Sequence, residues 1–148
     1  AHAARFYELL KSEAGCTIQI DGGYPVDQSE SLVELLKMAA HNEEEEHKDV
    51  YPAFAKIAEE EGFSEAAYAF SQIAKIERIH GERFAKLAQM LQQETYYEQE
   101  VGGEWMCLNC GYIFKGAKVP PVCPVCRHER GYFIPACMAP YLGFSNCN

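Results

Sequence analysis

The stretch IERIHGERF, residues 76–84, decides the fold of the first two thirds of the sequence. It belongs to a stripe whose members recur in alternating steps of four and three residues, the spacing of one helix face in a bundle. The members of this stripe are Ala66, Phe70, Ile73, Glu77, His80, Phe84, Leu87 and Leu91. A carboxylate and an imidazole therefore stand where apolar residues are expected.

The stretch NEEEEHKDVYPAF, residues 42–54, repeats this feature on the preceding helix. Its stripe consists of Leu32, Leu36, Ala39, Glu43, Glu46, Val50, Phe54 and Ile57. Carboxylates in an apolar seam are costly unless they are protonated or paired. Bundle-core di-iron sites use Glu on one helix and Glu-x-x-His on its neighbour. We therefore predict a metal site at Glu43, Glu46, Glu77 and His80.

A simpler interpretation of these residues is a solvated acidic face, because Glu-x-x-His spacings and runs of Glu are common on helix surfaces. The joint placement of both pairs on apolar stripes favours metal. The charged neighbours off the stripes are expected at the surface, as are two further histidines. These residues are Glu44, Glu45, His47, Lys48, Asp49, His41 and His128.

Capping and breaking residues predict the limits of the helices. One helix is expected from a cap at Ser29 to Glu61, with a kink at Pro52 and an end at Gly62. A second is expected from Ser64 to about residue 93. Residues 2–12 have the pattern of a helix end, and residues 15–28 that of a loop with a short extended piece at 16–20.

Two C-x-x-C pairs follow, and the composition changes from helical to Cys-, Pro- and aromatic-rich at residue 104. The pairs predict a tetrahedral metal site for either iron or zinc, between which spacing does not decide. Its ligands are Cys107, Cys110, Cys123 and Cys126, and its expected small core is Trp105, Tyr112, Phe114, Tyr132 and Phe133. The remaining cysteines, Cys16, Cys137 and Cys147, are predicted to be free thiols.

These features divide the sequence into four segments. A helical metal-binding domain is predicted at residues 1–94, a polar linker at 95–103, a Cys₄ domain at 104–134 and an irregular tail at 135–148. Net charge of -9 argues against nucleic acid and anionic membranes as partners. Thiolate sites need reduced sulfur, and neither a signal peptide nor a membrane span is expected, so the predicted location is the cytoplasm.

With both sites in view, the sequence resembles rubrerythrin, a ferritin-like four-helix bundle followed by a rubredoxin-like domain. The stretches that carry the resemblance are HAARFYELL, NEEEEHKDVYPAF, IERIHGERF, WMCLNCGYIF and CPVC. The resemblance implies a di-iron centre and an Fe(Cys)₄ centre. It also implies that His2 exchanges with Glu46 for one iron on reduction, and that Tyr51 supports the site.

The family resemblance further implies reduction of hydrogen peroxide, with electrons from a reductase or rubredoxin passing through the Fe(Cys)₄ centre, in a homodimer. The first family helix and most of the second, with two glutamate ligands, have no counterpart here. A second chain or a further segment is therefore expected to complete the bundle. Two alternatives stay open: an electron-transfer or zinc-ribbon binding module without peroxidase activity, and a ferroxidase or iron-storage protein.

Overall fold

The computed structural model describes residues 2–139 and divides into a helical unit, up to Ala88, and a strand-containing unit that follows it. The helices are α1 (His2–Leu9), α2 (Leu32–Glu45), α3 (Tyr51–Glu60) and α4 (Ser64–Gln92), with a π-helix (Glu46–Val50) between α2 and α3. The strands are β1 (Glu98–Cys107), β2 (Ile113–Lys118) and β3 (Phe133–Pro135). Short 3-10 turns lie at Lys11–Glu13, Arg130–Tyr132 and Ala136–Met138. Among residues 2–139, no helix combines the length and apolar character that a membrane crossing requires.

The start of α2 lies two residues beyond the predicted cap. Ser31 has extended backbone angles and its hydroxyl oxygen accepts the N–H of Glu34 at 3.4 Å, as an N-cap side chain does. Ser29 instead accepts the N–H of Ser31 at 3.1 Å. The prediction of Ser29 as the cap was therefore wrong, because its hydroxyl bonds within the loop, whereas Ser31 accepts the N–H of Glu34 in the first turn of α2.

Pro52 does not kink the long helix by itself; a π-helix comes just before it. The N–H of Tyr51 bonds to the carbonyl of Glu46, five residues back, and α3 continues from there. Pro52 lacks an N–H, so one α-helical hydrogen bond is missing at this position. The wider π turn accommodates that missing bond, and helical hydrogen bonding continues from α2 through the π-helix into α3.

The end of α3 matches its prediction. Gly62 adopts a φ of +84°, a left-handed conformation that side chains with a Cβ disfavour. Its N–H bonds to Glu59 and that of Phe63 bonds to Ala58, at 3.1 and 2.7 Å, which is the Schellman pattern of a helix end. The chain then turns directly into α4.

The core of the helical unit is made of small residues. Its buried members are Ala58, Ala67, Ala69, Ile73, Ala74, Glu77, Gly81 and Ala88. Larger residues of the predicted stripe on α2 and α3 remain about half exposed, with 47% for Phe54 and 49% for Ile57. The prediction that this whole stripe is buried was therefore wrong, because Phe54 and Ile57 line an open groove instead of a packed seam.

The strand unit is a three-stranded antiparallel sheet in the order β2-β1-β3. Trp105 pairs with Phe114 on one side and Pro135 on the other, and it is fully buried. Its indole N–H donates to the carbonyl of Tyr96 at 3.0 Å, so burial leaves no polar atom without a partner. Around it, the core consists of Cys107, Val119, Cys123 and Phe133.

Several segments differ from the sequence-based expectation. Residues 98–103, predicted as linker, form the first half of β1, whereas residues 16–20 form no strand. Pro135 and Ala136 are buried in the strand unit rather than belonging to an irregular tail. Cys137 is disulfide-bonded, so its prediction as a free thiol was wrong, whereas Cys16 is free and exposed. The prediction for Cys147 lies outside the described residues.

Candidate metal centres

Glu43 on α2 and Glu77 and His80 on α4 converge in the helical unit. One ligand-type atom of each lies within 4.8 Å of the others. His80 Nδ1 is 2.6 Å from one Glu77 oxygen and 3.7 Å from a Glu43 oxygen. The regular four-three spacing of α4 places Glu77 and His80 on the same face, toward α2. The sequence-based expectation that these side chains share one seam therefore agrees with the geometry.

Glu77 is the centre of this group and its most buried member. Its side chain is only 4% exposed, against 22% for Glu43 and 37% for His80. His2 of α1 reaches it from another direction, with Nδ1 3.0 Å from the second Glu77 oxygen. Both carboxylate oxygens of Glu77 thus face imidazole nitrogens, an arrangement suited to a ligand shared between two cations.

Glu46 and Tyr51 lie beside this group rather than inside it. Tyr51 donates a hydrogen bond to the carboxylate of Glu46, and Glu46 interacts electrostatically with Glu77, His2 and His80. Burial, followed by the charge of Glu46, raises the pKa of Tyr51 to about 12. The tyrosine therefore keeps its proton at neutral pH and holds Glu46 next to the cluster.

The carboxylates of this group repel one another when no cation is present. Burial, together with a hydrogen bond that the protonated Glu43 carboxyl donates to Glu77, raises the pKa of Glu43 to about 7. Burial also raises the pKa of Glu46, with the charge of Glu77 adding to the effect. A proton on Glu43 reduces the repulsion between the two carboxylates, as a bound metal ion would.

The oxygen and nitrogen donors of this group fit two bound iron ions better than they fit a cluster held together by hydrogen bonds alone. Carboxylate oxygens and imidazole nitrogens are the ligands of bundle-core di-iron centres. Two donors of one ion, at bonds of about 2.1 Å, stand about 3–4 Å apart. Separations within 4.8 Å need only a small side-chain rotation to reach that geometry. The positions of Glu43, Glu77 and His80 are thus compatible with bound iron.

The stability of the metal-free helical unit is expected to fall as the pH rises. The pKa of Glu43 is raised from 4.5 to about 7, so the folded chain holds a proton that the unfolded chain releases. That stabilisation is fully present below pH 4.5 and is lost as the pH rises through about 7. Thermal unfolding of the metal-free protein, followed by circular dichroism, should give a lower midpoint at about pH 8 than at about pH 5.

Two variants separate the contribution of Glu43 to the pH dependence of stability from the contribution of other acidic residues. Glu43→Gln should flatten the dependence, because its amide cannot titrate. Glu60→Gln is the control, since Glu60 is exposed and forms a surface ion pair with Lys56 at 3.9 Å. An equal slope in the wild type and in Glu43→Gln would contradict the assignment.

Two contacts without a clear sequence signal bring α2 and the π-helix against α4. A Cβ placed on Gly81 would lie 3.3 Å from the Cβ of Glu43 and 3.4 Å from the carbonyl of Ala40, so only a glycine allows this approach without displacement. His47, predicted at the surface, is half-buried, and its Nδ1 lies 2.8 Å from the carbonyl of Ala74. In the sequence, Gly81 could have been identified only from its position directly after the predicted ligand His80.

The four predicted cysteines form the second cluster. Cys107 and Cys126 sulfurs are 3.6 Å apart, and Cys110 and Cys123 sulfurs 3.8 Å apart. A tetrahedron with metal–sulfur bonds of about 2.3 Å has edges of about 3.8 Å. The cluster fits an Fe(Cys)₄ site without rearrangement. Cys107 and Cys123 are buried, whereas Cys110 is exposed.

Each C-x-x-C pair is a tight turn that directs backbone N–H groups toward sulfur. The N–H of Gly111 bonds to the carbonyl of Cys107 at 2.8 Å, and that of Arg127 to Cys123 at 3.0 Å. Both residues have a left-handed φ, +76° and +65°, which is easy for the glycine and costly for the arginine. The N–H of His128 donates to Cys126 and lowers the pKa of that thiol to about 5, which favours the thiolate that a metal needs.

His128 was predicted at the surface, but it lies beside the cysteine cluster. Its ring is half-buried and packs edge-on against Tyr132, with centroids 4.5 Å apart. Its Nδ1 lies 3.2 Å from the carbonyl of Cys126. That prediction was wrong because the turn after the second C-x-x-C pair folds the His128 side chain back toward Cys126. The same prediction was right for His41, which is 68% exposed.

Comparison with known proteins identifies the families that the two units match. The family model "Rubrerythrin" matches residues 1–88, and the model "Rubrerythrin, rubredoxin-like domain" matches residues 105–134. Rubrerythrin of Clostridium perfringens is 42% identical over 133 residues, which are 89% of this chain and 68% of the relative. Rubrerythrin of Porphyromonas gingivalis is 41% identical over 134 residues, covering 90% of this chain and 66% of the relative.

A solved structure gives the same result. A mixed-valence structure of nigerythrin superposes with a TM-score of 0.51 at 28% identity, over 90% of this chain and 62% of that one. The chain thus spans about two thirds of the length of the curated relatives it matches. The helical unit is similar to the ferritin-like domain of these proteins, and the strand unit to their rubredoxin-like domain.

Proposed function

Because the chain belongs to the rubrerythrin family, we propose that it is an iron-dependent oxidoreductase that reduces hydrogen peroxide to water. The observation that carries this proposal is the presence of two different metal-type clusters in one chain. A carboxylate–histidine group suits reaction with an oxygen species, and a tetrahedral thiolate group suits electron transfer. Neither an electron carrier nor an iron store needs both.

The residues that would hold the di-iron centre are Glu43, Glu46, Glu77, His80 and His2. Bound iron would supply the electrons that the O–O bond of peroxide needs in order to break. Overall, peroxide takes up two electrons and two protons to give two waters. The protein contributes acidic side chains and a dry helix interface that keep the ions in place, with Glu77 almost completely buried.

The hydrogen bond from Tyr51 to Glu46 is proposed to control the position of the Glu46 carboxylate beside the metal site. Glu46 lies outside the tight group of three donors and Tyr51 holds it nearby. Carboxylates that change position keep the coordination of each iron filled as its charge changes. We propose that Glu46 and His2 are the pair that alternates, since both interact with Glu77 without belonging to the tight group of three donors.

The Cys₄ centre is proposed to pass electrons one at a time from a reductase or rubredoxin to the di-iron centre. Cys110 is exposed, so an external donor can approach this centre closely. Reduced thiolates also favour a reducing compartment, and we propose the cytoplasm.

A partner helix is proposed to complete the bundle at an open groove of about 1000 Å³ between α1 and α3. Its lining is mainly apolar and includes Phe6, Leu9, Phe54 and Ile57, with Glu46 at one end. Exposed apolar area of this kind favours burial against another helix. A second chain, a further segment, or the other subunit of a homodimer would each supply it.

Stopped-flow spectroscopy tests the peroxidase proposal. The iron-loaded protein is reduced anaerobically and mixed with one equivalent of peroxide, and the iron–thiolate absorption is followed. We expect the Cys₄ iron to be reoxidised after peroxide is consumed, with water and no dioxygen as product. A metal content limited to zinc at the Cys₄ site, with no iron elsewhere, would favour a binding module instead. Iron uptake with dioxygen alone, without reoxidation by peroxide, would favour a ferroxidase.

A further inference from the structure

His47 makes a link between two helices that neither metal cluster uses. Its Nδ1 lies 2.8 Å from the carbonyl oxygen of Ala74 on α4. A carbonyl oxygen only accepts hydrogen bonds, so Nδ1 carries the proton in this contact. The ring belongs to the π-helix and is half-buried, although the simple helical pattern places it at the surface.

This link lies on one side of the carboxylate group, and a tight contact lies on the other. Gly81 packs against the Cβ of Glu43 near one end of the group. His47 bonds to Ala74 one turn before Glu77 at the other end. Between these two contacts α2 and the π-helix run antiparallel to α4, and Glu46 and Glu77 lie in the enclosed stretch. The two contacts therefore fix the spacing of the helices on both sides of the metal group.

The π-helix needs such a link more than an α-helix would. A π turn contains an extra residue relative to an α-helix, and its return to α-helical bonding would shift the following residues by one position, or about 100° around the axis. Glu46 is the first residue of this segment and His47 the second. A bond from His47 to the opposite helix stabilises the turn in which Glu46 is directed at the cluster.

We propose that His47 is a positioning residue: by donating to Ala74 it holds the π-helix in register and keeps Glu46 beside the di-iron site. It touches neither metal nor substrate. The inference rests on the proposed function only in taking Glu46 as a ligand. Its first test does not need metal at all.

The first test measures amide hydrogen exchange of residues 46–50 by NMR in the metal-free, full-length chain. His47→Leu keeps the bulk of the ring but removes the donor, and it should speed exchange in this segment about tenfold. His47→Asn places an amide nitrogen where Nδ1 lies and should restore most of the protection. His41→Leu is the control, because His41 is exposed on the preceding helix α2 and pairs with Glu45 of its own helix. Equal exchange in His47→Leu and His41→Leu would overturn the proposal.

The second test measures metal binding with Co²⁺ as the probe, added anaerobically to the protein with its Cys₄ site already filled. We expect His47→Leu to weaken the weaker of two Co²⁺ sites about tenfold and to change its visible spectrum, while His47→Asn stays near the wild type. Unchanged affinity and spectrum in His47→Leu would contradict the positioning role. If the wild type binds no Co²⁺ in the helical unit, the di-iron proposal fails, and amide exchange still decides whether His47 holds the π-helix.

Discussion

Glu77→Gln is expected to remove most of the metal affinity of the helical unit and to lower the peroxide reaction rate by about 100-fold or more. Glu77 is buried and contacts His2 and His80 at 3.0 and 2.6 Å, so no other described side chain can replace it. The amide keeps the size of the side chain but loses one negative charge and one acceptor oxygen. Iron content by mass spectrometry and stopped-flow rates with peroxide measure both losses.

The stability of the same variant should change much less than its metal affinity. Without a cation, Glu77→Gln removes the repulsion between Glu77 and Glu43 but also weakens the contacts with His2 and His80, so the two effects oppose each other and the metal-free thermal midpoint should stay close to that of the wild type. Glu82→Gln is the matched control on α4, because Glu82 is exposed and pairs with Arg78 at 2.6 Å on the surface of the same helix. A variant that unfolds without losing affinity for metal would show that Glu77 is structural and would contradict the proposed role.

The part of the site on α4 was predictable because that helix is regular. Twenty-nine residues without a break keep the four-three spacing, so Glu77 and His80 had to share a face. Glu43 lies on the regular helix α2 and was placed correctly by the same argument. Periodicity is reliable where backbone hydrogen bonds follow one pattern over several turns.

The part beyond Glu45 was not predictable in this way. A π-helix changes the number of residues per turn, and single-sequence periodicity assumes that this number is constant. His47 was therefore assigned to the wrong surface, and its bond to Ala74 had no sequence signal apart from the nearby Pro52. The exposure of Phe54 and Ile57 depends on what fills the groove, which the stripe itself does not encode.

In the strand unit, spacing predicted the metal ligands but not the backbone that presents them. Two C-x-x-C pairs define a tetrahedral cluster because each turn brings two sulfurs together. The glycine after Cys110 signals a left-handed residue, whereas Arg127 takes the same conformation with no such signal. The early start of β1 at Glu98 depends on pairing with Lys118, a long-range contact that local composition cannot show.

Cys123→Ser is expected to remove the metal of the strand unit and to unfold that unit. Cys123 is fully buried among Trp105, Cys107, Val119 and Phe133, a core too small to be stable without bound metal. Trp105 is the only tryptophan of the sequence, so its fluorescence reports this unit alone. We expect a shift of its emission to longer wavelength and loss of the iron–thiolate absorption.

The helical unit should survive this change, and that difference makes the prediction specific. The carboxylate group of Cys123→Ser should still bind metal and react once with peroxide after chemical reduction, but steady turnover with an external electron donor should fall to background. Cys16→Ser is the control, because Cys16 is a free, exposed thiol in the helical unit. Retained turnover in Cys123→Ser would mean that electrons reach the di-iron centre without the Cys₄ site, and the proposed relay would be wrong.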